Sequence, residues 1–243
     1  MGNTYIISDI HGCYAEFLEL LDRIALSDED ELFVLGDAMD RGPESIRVLQ
    51  DLMNRANVTY ILGNHDLMFL EVLRRLYVKV SEETLLDLSD DDFRAYYSYV
   101  RNGGEETLRQ FRRLSPEEQG DLRDYLESCS YFETVESQGK LYVLVHAGLD
   151  HFDPEKEMEE YDPHDLVWAR PNYEKKYFPG DRIYVVTGHT PTILIREDRQ
   201  ALVYTKNHHI AIDCGCVFGG RLAAYCIDSG EVFYVDSKQP RDC

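Results

Sequence analysis

Basic residues are scarce in this chain. Its 243 residues carry 25 Lys and Arg against 46 Asp and Glu, for a net charge of −21. Nucleic acid and anionic membrane both demand basic surfaces, so neither is expected as a partner. The acidic excess reads as a solvated surface that favours solubility. Long apolar runs are missing too, and no stretch approaches the ~20 residues that span a bilayer. The N-terminus enters a strand pattern at once, without the basic segment and apolar stretch of a signal peptide. A cytoplasmic location is therefore expected. Zinc-ligand spacing is absent among the six cysteines, Cys13, Cys129, Cys214, Cys216, Cys226 and Cys243, and free thiols are expected in a reducing compartment. Cys214-Gly215-Cys216 invites a metal or redox reading. The run from His209 to Cys214, however, reads as a strand ending in a glycine turn, and buried cysteine often behaves as a small hydrophobe. No internal repeat or low-complexity linker interrupts the chain.

What is present suits a folded domain. A hydrophobic content of 44% supports a core, and the length fits one domain over residues 1–243 with room for an insertion. The first 70 residues alternate strand and helix in a βαβαβ pattern, which implies stacked sheet and helix layers. Tyr14 to Ala25 places Phe17, Leu18, Leu21 and Ile24 on one helical face. Pro43 suits a first helical position, with Ile46, Leu49, Leu52 and Met53 as the next apolar face. From about Leu67 to Ser130 strand signals vanish and helix starts appear. Ser89-Asp90-Asp91-Asp92 opens one helix. Ser115-Pro116-Glu117-Glu118 opens another, with a capping box and a first-turn proline. Asn102-Gly103-Gly104 breaks this helical insertion in its middle. It is expected to lie over the rim of the site without building the catalytic centre. Beyond Tyr131 the chain is mostly strand, with turns at Ser137-Gln138-Gly139-Lys140 and Asp228-Ser229-Gly230-Glu231.

Five polar motifs each follow an apolar run that reads as a strand. Tyr5-Ile6-Ile7 precedes Asp9-Ile10-His11-Gly12, and Leu32 to Leu35 precedes Gly36-Asp37-Ala38-Met39-Asp40-Arg41-Gly42. Tyr60-Ile61-Leu62 precedes Gly63-Asn64-His65-Asp66, Leu141 to Val145 precedes His146-Ala147-Gly148, and Ile183 to Val186 precedes Gly188-His189-Thr190. In open α/β sheets ligands gather beyond the carboxyl ends of strands. Five such ends bearing carboxylate, imidazole and amide make a metal site. Taken singly, an Asp after a strand is most often a turn or cap, and a lone His is most often packed or on the surface. Their order and spacing together argue against independent caps and core residues. His151, His164, His208 and His209 lack that support and read as surface or loop residues.

From about Tyr5 to about Tyr225 the set resembles the calcineurin-like metallophosphoesterases, and within them the serine/threonine phosphoprotein phosphatases of bacterial and phage type. The resemblance implies a four-layer αββα sandwich, an α/β fold. It implies two divalent cations, with Asp9 and His11 on the first, Asp37 bridging both, and Asn64, His146 and His189 on the second. Oxygen and nitrogen donors without thiolate fit manganese, with iron or zinc as alternatives. His65 is the implied general acid, paired with Asp40, whose carboxylate fixes the imidazole tautomer. Arg41 matches the family's first phosphate arginine. Arg170, in Leu166-Val167-Trp168-Ala169-Arg170, is the candidate for the second, with Arg182 as the alternative. Arginine supplies the planar, bidentate donors that phosphoryl oxygens accept. Asp213 to Gly220 resembles the family's last loop, where Phe218 either contacts substrate or fills the core.

The activity implied is hydrolysis of a phosphate monoester carried by a phosphorylated protein or a small molecule. Ser8, Asp66 and Ala147 depart from the eukaryotic pattern. Asp66 and Ala147 are shared with the symmetrical diadenosine tetraphosphatases, which are the alternative. The best-known of those carry alanine where this chain has Asp40, so Asp40 favours the phosphatase. A non-catalytic phosphate-binding regulator would be marked by loss of a ligand or of the acid, and this chain keeps all of them. Superfamily phosphodiesterases mostly lack Asp-Arg-Gly after the bridging aspartate, and many carry a further His two residues beyond Gly-His. Here Thr190-Pro191 follows His189.

Overall fold

A computed structural model describes residues 2–77 and 88–239. Two five-stranded sheets stand at its centre. The first has the order β10 (Val232–Asp236), β9 (Arg221–Cys226), β1 (Thr4–Ile7), β2 (Glu31–Leu35), β3 (Val58–Ile61). The second runs β4 (Phe132–Ser137), β5 (Lys140–Val145), β6 (Ile183–Thr187), β8 (His209–Ala211), β7 (Tyr204–Lys206). Strands β1, β2 and β3 are parallel, as are β5, β6 and β8, while the outer strands pair antiparallel. The apolar runs before the motifs are thus the parallel strands β1, β2, β3, β5 and β6, and their carboxyl ends share one rim.

Alternation along the strands divides the core. Ile6, Phe33, Leu35 and Ile61 of the first sheet meet Tyr142, Leu144, Val186 and Ile210 of the second in an inter-sheet layer. Ile7, Leu32 and Val34 face the other way, onto α1 (Tyr14–Arg23), α2 (Ser45–Met53), α3 (Asn64–Val72), α5 (Glu105–Phe111) and α6 (Pro116–Ser128). Val143, Val145 and Val185 cover the outer face of the second sheet with Leu166 and Val167 of the short α7 (Pro163–Val167) and with Tyr161. The αββα layering is present, with a thin last layer.

Local details refine the sequence reading. On α1 the buried apolar residues are Phe17, Leu20 and Leu21, while Leu18 is exposed. At 100° per residue Leu18 lies beside the stripe of Phe17, Leu20, Leu21 and Ile24 and not within it. Pro43 sits before α2, whose cap is Glu44. His209 is a correction to the surface assignment. It is buried in β8, with Nε2–H donating to Lys175 O and its ring packed on Tyr173 and Tyr177. Strand alternation turns His209 inward from half-buried His208.

The helical stretch holds its expected starts. Ser89 caps α4 (Asp90–Tyr99) and Ser115 caps α6, each in a reciprocal capping box. Between α4 and α5 a wide turn at Val100–Gly104 carries Gly103 at φ 101. The part of the expected insertion at 78–87 lies outside the described residues.

Candidate metal centre

Backbone conformation marks the site before any side chain is considered. Asp9 (φ 49), His11 (46), Asp37 (54), Asp40 (70), Arg41 (65) and His189 (63) all occupy the left-handed region. That region disfavours residues with a Cβ and costs about 1–2 kcal/mol each. Such outliers persist where surrounding structure enforces them, typically at functional sites. Two glycines complete the tight turns. A Cβ on Gly63 would stand 2.2 Å from Asp37 Oδ1, and one on Gly188 would stand 2.1 Å from Asp9 Oδ2.

Four donor atoms converge on the β2, β3, β5 and β6 side of the rim. Asn64 Oδ1 lies 3.0 Å from His146 Nε2 and 2.9 Å from His189 Nδ1, and His146 Nε2 lies 3.4 Å from Asp37 Oδ2. A divalent ion with bonds of ~2.1 Å sets adjacent octahedral ligands ~3.0 Å apart, so these are ligand-edge distances. On the other side His11 Nε2 lies 3.7 Å from Asp37 Oδ2, with His65 completing the group. Asp9 closes neither group. Its Oδ2 accepts from the His189 N–H at 2.9 Å.

Hydrogen bonds behind the imidazoles set their tautomers. His11 Nδ1–H donates to Met39 O and His146 Nδ1–H donates to Leu35 O, each at 2.7 Å. A carbonyl only accepts, so each Nδ1 holds a proton and Nε2 is the atom turned toward Asp37, the one that would bind a metal once deprotonated. Asp66 performs a supporting role that the sequence reading noted only as a family difference. Its Oδ2 accepts from Gly63 N at 2.8 Å, Tyr60 Oη at 2.7 Å and Asp37 N at 3.2 Å, which fixes the bridging candidate against β3.

Charge in the site is out of balance. Asp9, Asp37, Asp66 and Asp213 are all buried. Burial pushes Asp213 up to about 6 and Asp66 up to about 7, and raises Asp9 well above the usual range, with Asp213 adding to it. Burial also works against a charge on His146, yet Asp37 overcomes it and raises His146 to about 10. His189, desolvated and next to His146, falls to about 3. The His146 imidazolium and the Arg41 guanidinium thus face several buried carboxylates that call for positive charge. Buried charge needs such compensation, and a divalent ion supplies it. His65 Nε2 and His189 Nε2 are buried without a hydrogen-bond partner. Oxygen and nitrogen donors, ligand-edge spacing and uncompensated carboxylates all fit divalent metal ions.

His65 Nδ1 meets Asp40 Oδ2 at 2.7 Å. The other oxygen of Asp40 accepts from Tyr99 Oη at 2.5 Å and from Thr107 Oγ1 at 2.6 Å. Gly103 O accepts from Arg41 N at 3.0 Å. This corrects the expectation for the helical segment, which reaches into the centre and grips Asp40. Tyr99 and Thr107 lie 59 and 67 residues from Asp40, and no local pattern announces them.

Arg41 and Arg170 line one cavity of about 470 Å³ with Asp37, Asn64, His189, Trp168 and Phe218. Arg41 stacks its guanidinium on Phe218 at 5.3 Å and also reaches His11 Nε2. Arg170 Nη1 donates to Thr190 Oγ1 at 2.9 Å. Arg182 sits at the opposite, amino end of β6, where its carbonyl accepts from Leu141 N. Phe218 is 43% exposed and so belongs to the cavity wall and not to the core.

Sheets, rim and donor set define a metal-dependent phosphoesterase class. The calcineurin-like phosphoesterase signature matches residues 2–222, and the chain belongs to that family. Among its relatives, the asymmetrical bis(5'-nucleosyl)-tetraphosphatase PrpE of Geobacillus thermodenitrificans is 30% identical over 97% of this chain and 94% of its own length. The symmetrical bis(5'-nucleosyl)-tetraphosphatase of Erwinia tasmaniensis is 41% identical over 37% of this chain and 34% of its own. A solved structure assigned provisionally as a diadenosine tetraphosphatase covers 98% of this chain and 95% of its own, with a TM-score of 0.65. Its 22% identity makes that a likeness of fold. Among the described residues no helix is long and apolar enough to cross a membrane.

Proposed function

We propose that this chain hydrolyses phosphate monoesters, as a serine/threonine protein phosphatase, with residues 1–243 forming one catalytic domain into which the helices at about 67–130 are inserted. Asp9, His11, Asp37, Asn64, His146 and His189 would hold two divalent ions, manganese before iron or zinc. When bound, such ions polarise a phosphoryl oxygen and lower the pKa of water. The chain's own residues bind, orient and move protons. Arg41 and Arg170 grip the phosphoryl oxygens from the cavity wall. His65 presents Nε2 to the leaving oxygen, and Asp40 at Nδ1 stabilises the imidazolium that donates the proton.

The observation that carries the monoester reading is the buried relay Tyr99/Thr107–Asp40–His65. A serine alkoxide is a strongly basic leaving group and needs a proton. A nucleotide phosphate is a much weaker base and leaves with less help. A relay this elaborate suits the harder departure. Hydrolysis of a dinucleoside tetraphosphate is the second reading, and the names of relatives that match nearly the whole chain favour it. Exposed Trp168 and Phe218 offer flat apolar faces beside the cavity that a base can cover. The test is kcat/KM measured side by side with manganese on phosphoserine, phosphothreonine and phosphotyrosine peptides, an aryl phosphate and diadenosine tetraphosphate. The serine and threonine peptides are expected to lead. A strong preference for diadenosine tetraphosphate over every monoester overturns the phosphatase reading.

A further inference from the structure

A second group of metal-ligand side chains lies away from the rim, on the helix side of the first sheet. Cys13, at the start of α1, Glu16, one turn on, and Cys216, in the loop before β9, offer one ligand atom each, all within 4.8 Å of one another. All three residues are buried, Glu16 and Cys13 completely. The Cys13 thiol donates to His11 O at 3.8 Å. Glu16 Oε1 accepts from the backbone of Lys238 at 2.8 Å and from Gln239 Nε2 at 3.2 Å, while Oε2 is buried with no partner. The Lys238 ammonium bonds Glu19, at 2.9 Å, and reaches Glu16 only through space. A carboxylate oxygen sealed from water against two thiols is costly unless a cation meets it.

We propose that Cys13, Glu16 and Cys216 form a zinc site, separate in place and chemistry from the rim. Thiolate selects soft zinc, whereas the oxygen and nitrogen set at the rim suits harder ions. Zinc bonded to two sulfurs at ~2.3 Å holds them ~3.7 Å apart, within the span of this group. Binding releases two thiol protons to solvent as the two sulfurs and Glu16 Oε2 take up the ion as ligands. The fourth position falls to a water. The site ties the first turn of α1 to the loop from Asp213 to Gly220 and to the tail at Ser237–Gln239. It therefore fixes the two segments that carry His11 and Phe218. Sequence spacing hides it, because Cys13 and Cys216 are 203 positions apart (216 − 13) and Cys214, in the tempting Cys-Gly-Cys, takes no part.

The experiment uses cobalt(II) as the probe on the full chain, stripped of metal and kept reduced. Thiolate bound to cobalt gives an intense near-ultraviolet charge-transfer absorption, and the donors at the rim cannot give it. Wild type should develop that absorption to saturation at one thiolate-bound cobalt per chain, and zinc should abolish it. Asp37→Asn, which damages the rim, should keep it, while Cys13→Ser combined with Cys216→Ser should lose it and Glu16→Gln should weaken binding. Absence of the absorption in folded wild type overturns the proposal, whether the thiols prove free or joined as a disulfide. The readout needs no variant to fold and no substrate to be turned over, so failure of the phosphatase reading leaves it intact.

Discussion

Replacing Asp40 with Asn tests the proton relay at its centre. Asp40 is fully buried, and its carboxylate bonds His65, Tyr99 and Thr107. The amide oxygen of Asn can still accept from Tyr99 and Thr107, which leaves its NH2 facing His65 Nδ1. An N–H donor there requires a lone pair on Nδ1. The imidazolium, with protons on both nitrogens, then clashes with it and is disfavoured. His65 keeps its position and loses its acid form. General acid catalysis is worth ~10²–10⁴-fold, or ~2.7–5.5 kcal/mol of barrier. A phosphoserine substrate should lose on that order. A nitrophenyl phosphate, with a weakly basic leaving group, should lose much less. Single-turnover rates on both substrates, with metal analysis alongside, provide the assay, and metal content should hold because Asp40 is not a proposed ligand. Equal losses on the two substrates would refute the acid role.

Other perturbations follow from the same geometry. Tyr99→Phe and Thr107→Val each remove one hydrogen bond to a buried carboxylate, worth about 1.5–3 kcal/mol. Each should lower the melting temperature and slow the phosphoserine reaction more than the aryl one, and matched losses would show a merely structural role. Asp37→Asn should be the most damaging ligand change, since Asp37 faces both donor groups. Near-normal metal content and turnover in that variant would remove Asp37 as the bridge. On α4, Phe93 and Tyr97 are large, exposed and apolar. Replacing both with Ser should alter preference among phosphopeptides with aryl phosphate hydrolysis largely kept, and equal loss on both in folded protein would count against a substrate-facing role.

Legibility in the sequence tracked the range of the interactions. Each inner strand is a short apolar run, and its end carries the polar residue that the rim needs, so strand and ligand candidate announce one another. Capping boxes at Ser89 and Ser115 are equally local. Asp66 was half legible: it lies three residues after Gly63, the spacing at which a side chain returns to the preceding N–H, yet its bonds to Tyr60 and Asp37 needed the fold. Tyr99 and Thr107 were invisible, because a phenol and a hydroxyl in a helical stretch carry no sign of what they touch. His209 looked like half of a surface pair until β8 gave it an inward face. Cys13 and Cys216 met only because the first motif and the last loop close on the same sheet.

The central claim is that six residues at one rim hold the two ions on which turnover depends. Its most direct test is a titration of chelator-stripped protein with manganese, following bound ions and phosphoserine hydrolysis together. Two manganese ions should bind per chain, with turnover absent beforehand and rising as they bind. Full turnover in protein shown to be metal-free by elemental analysis would contradict the account.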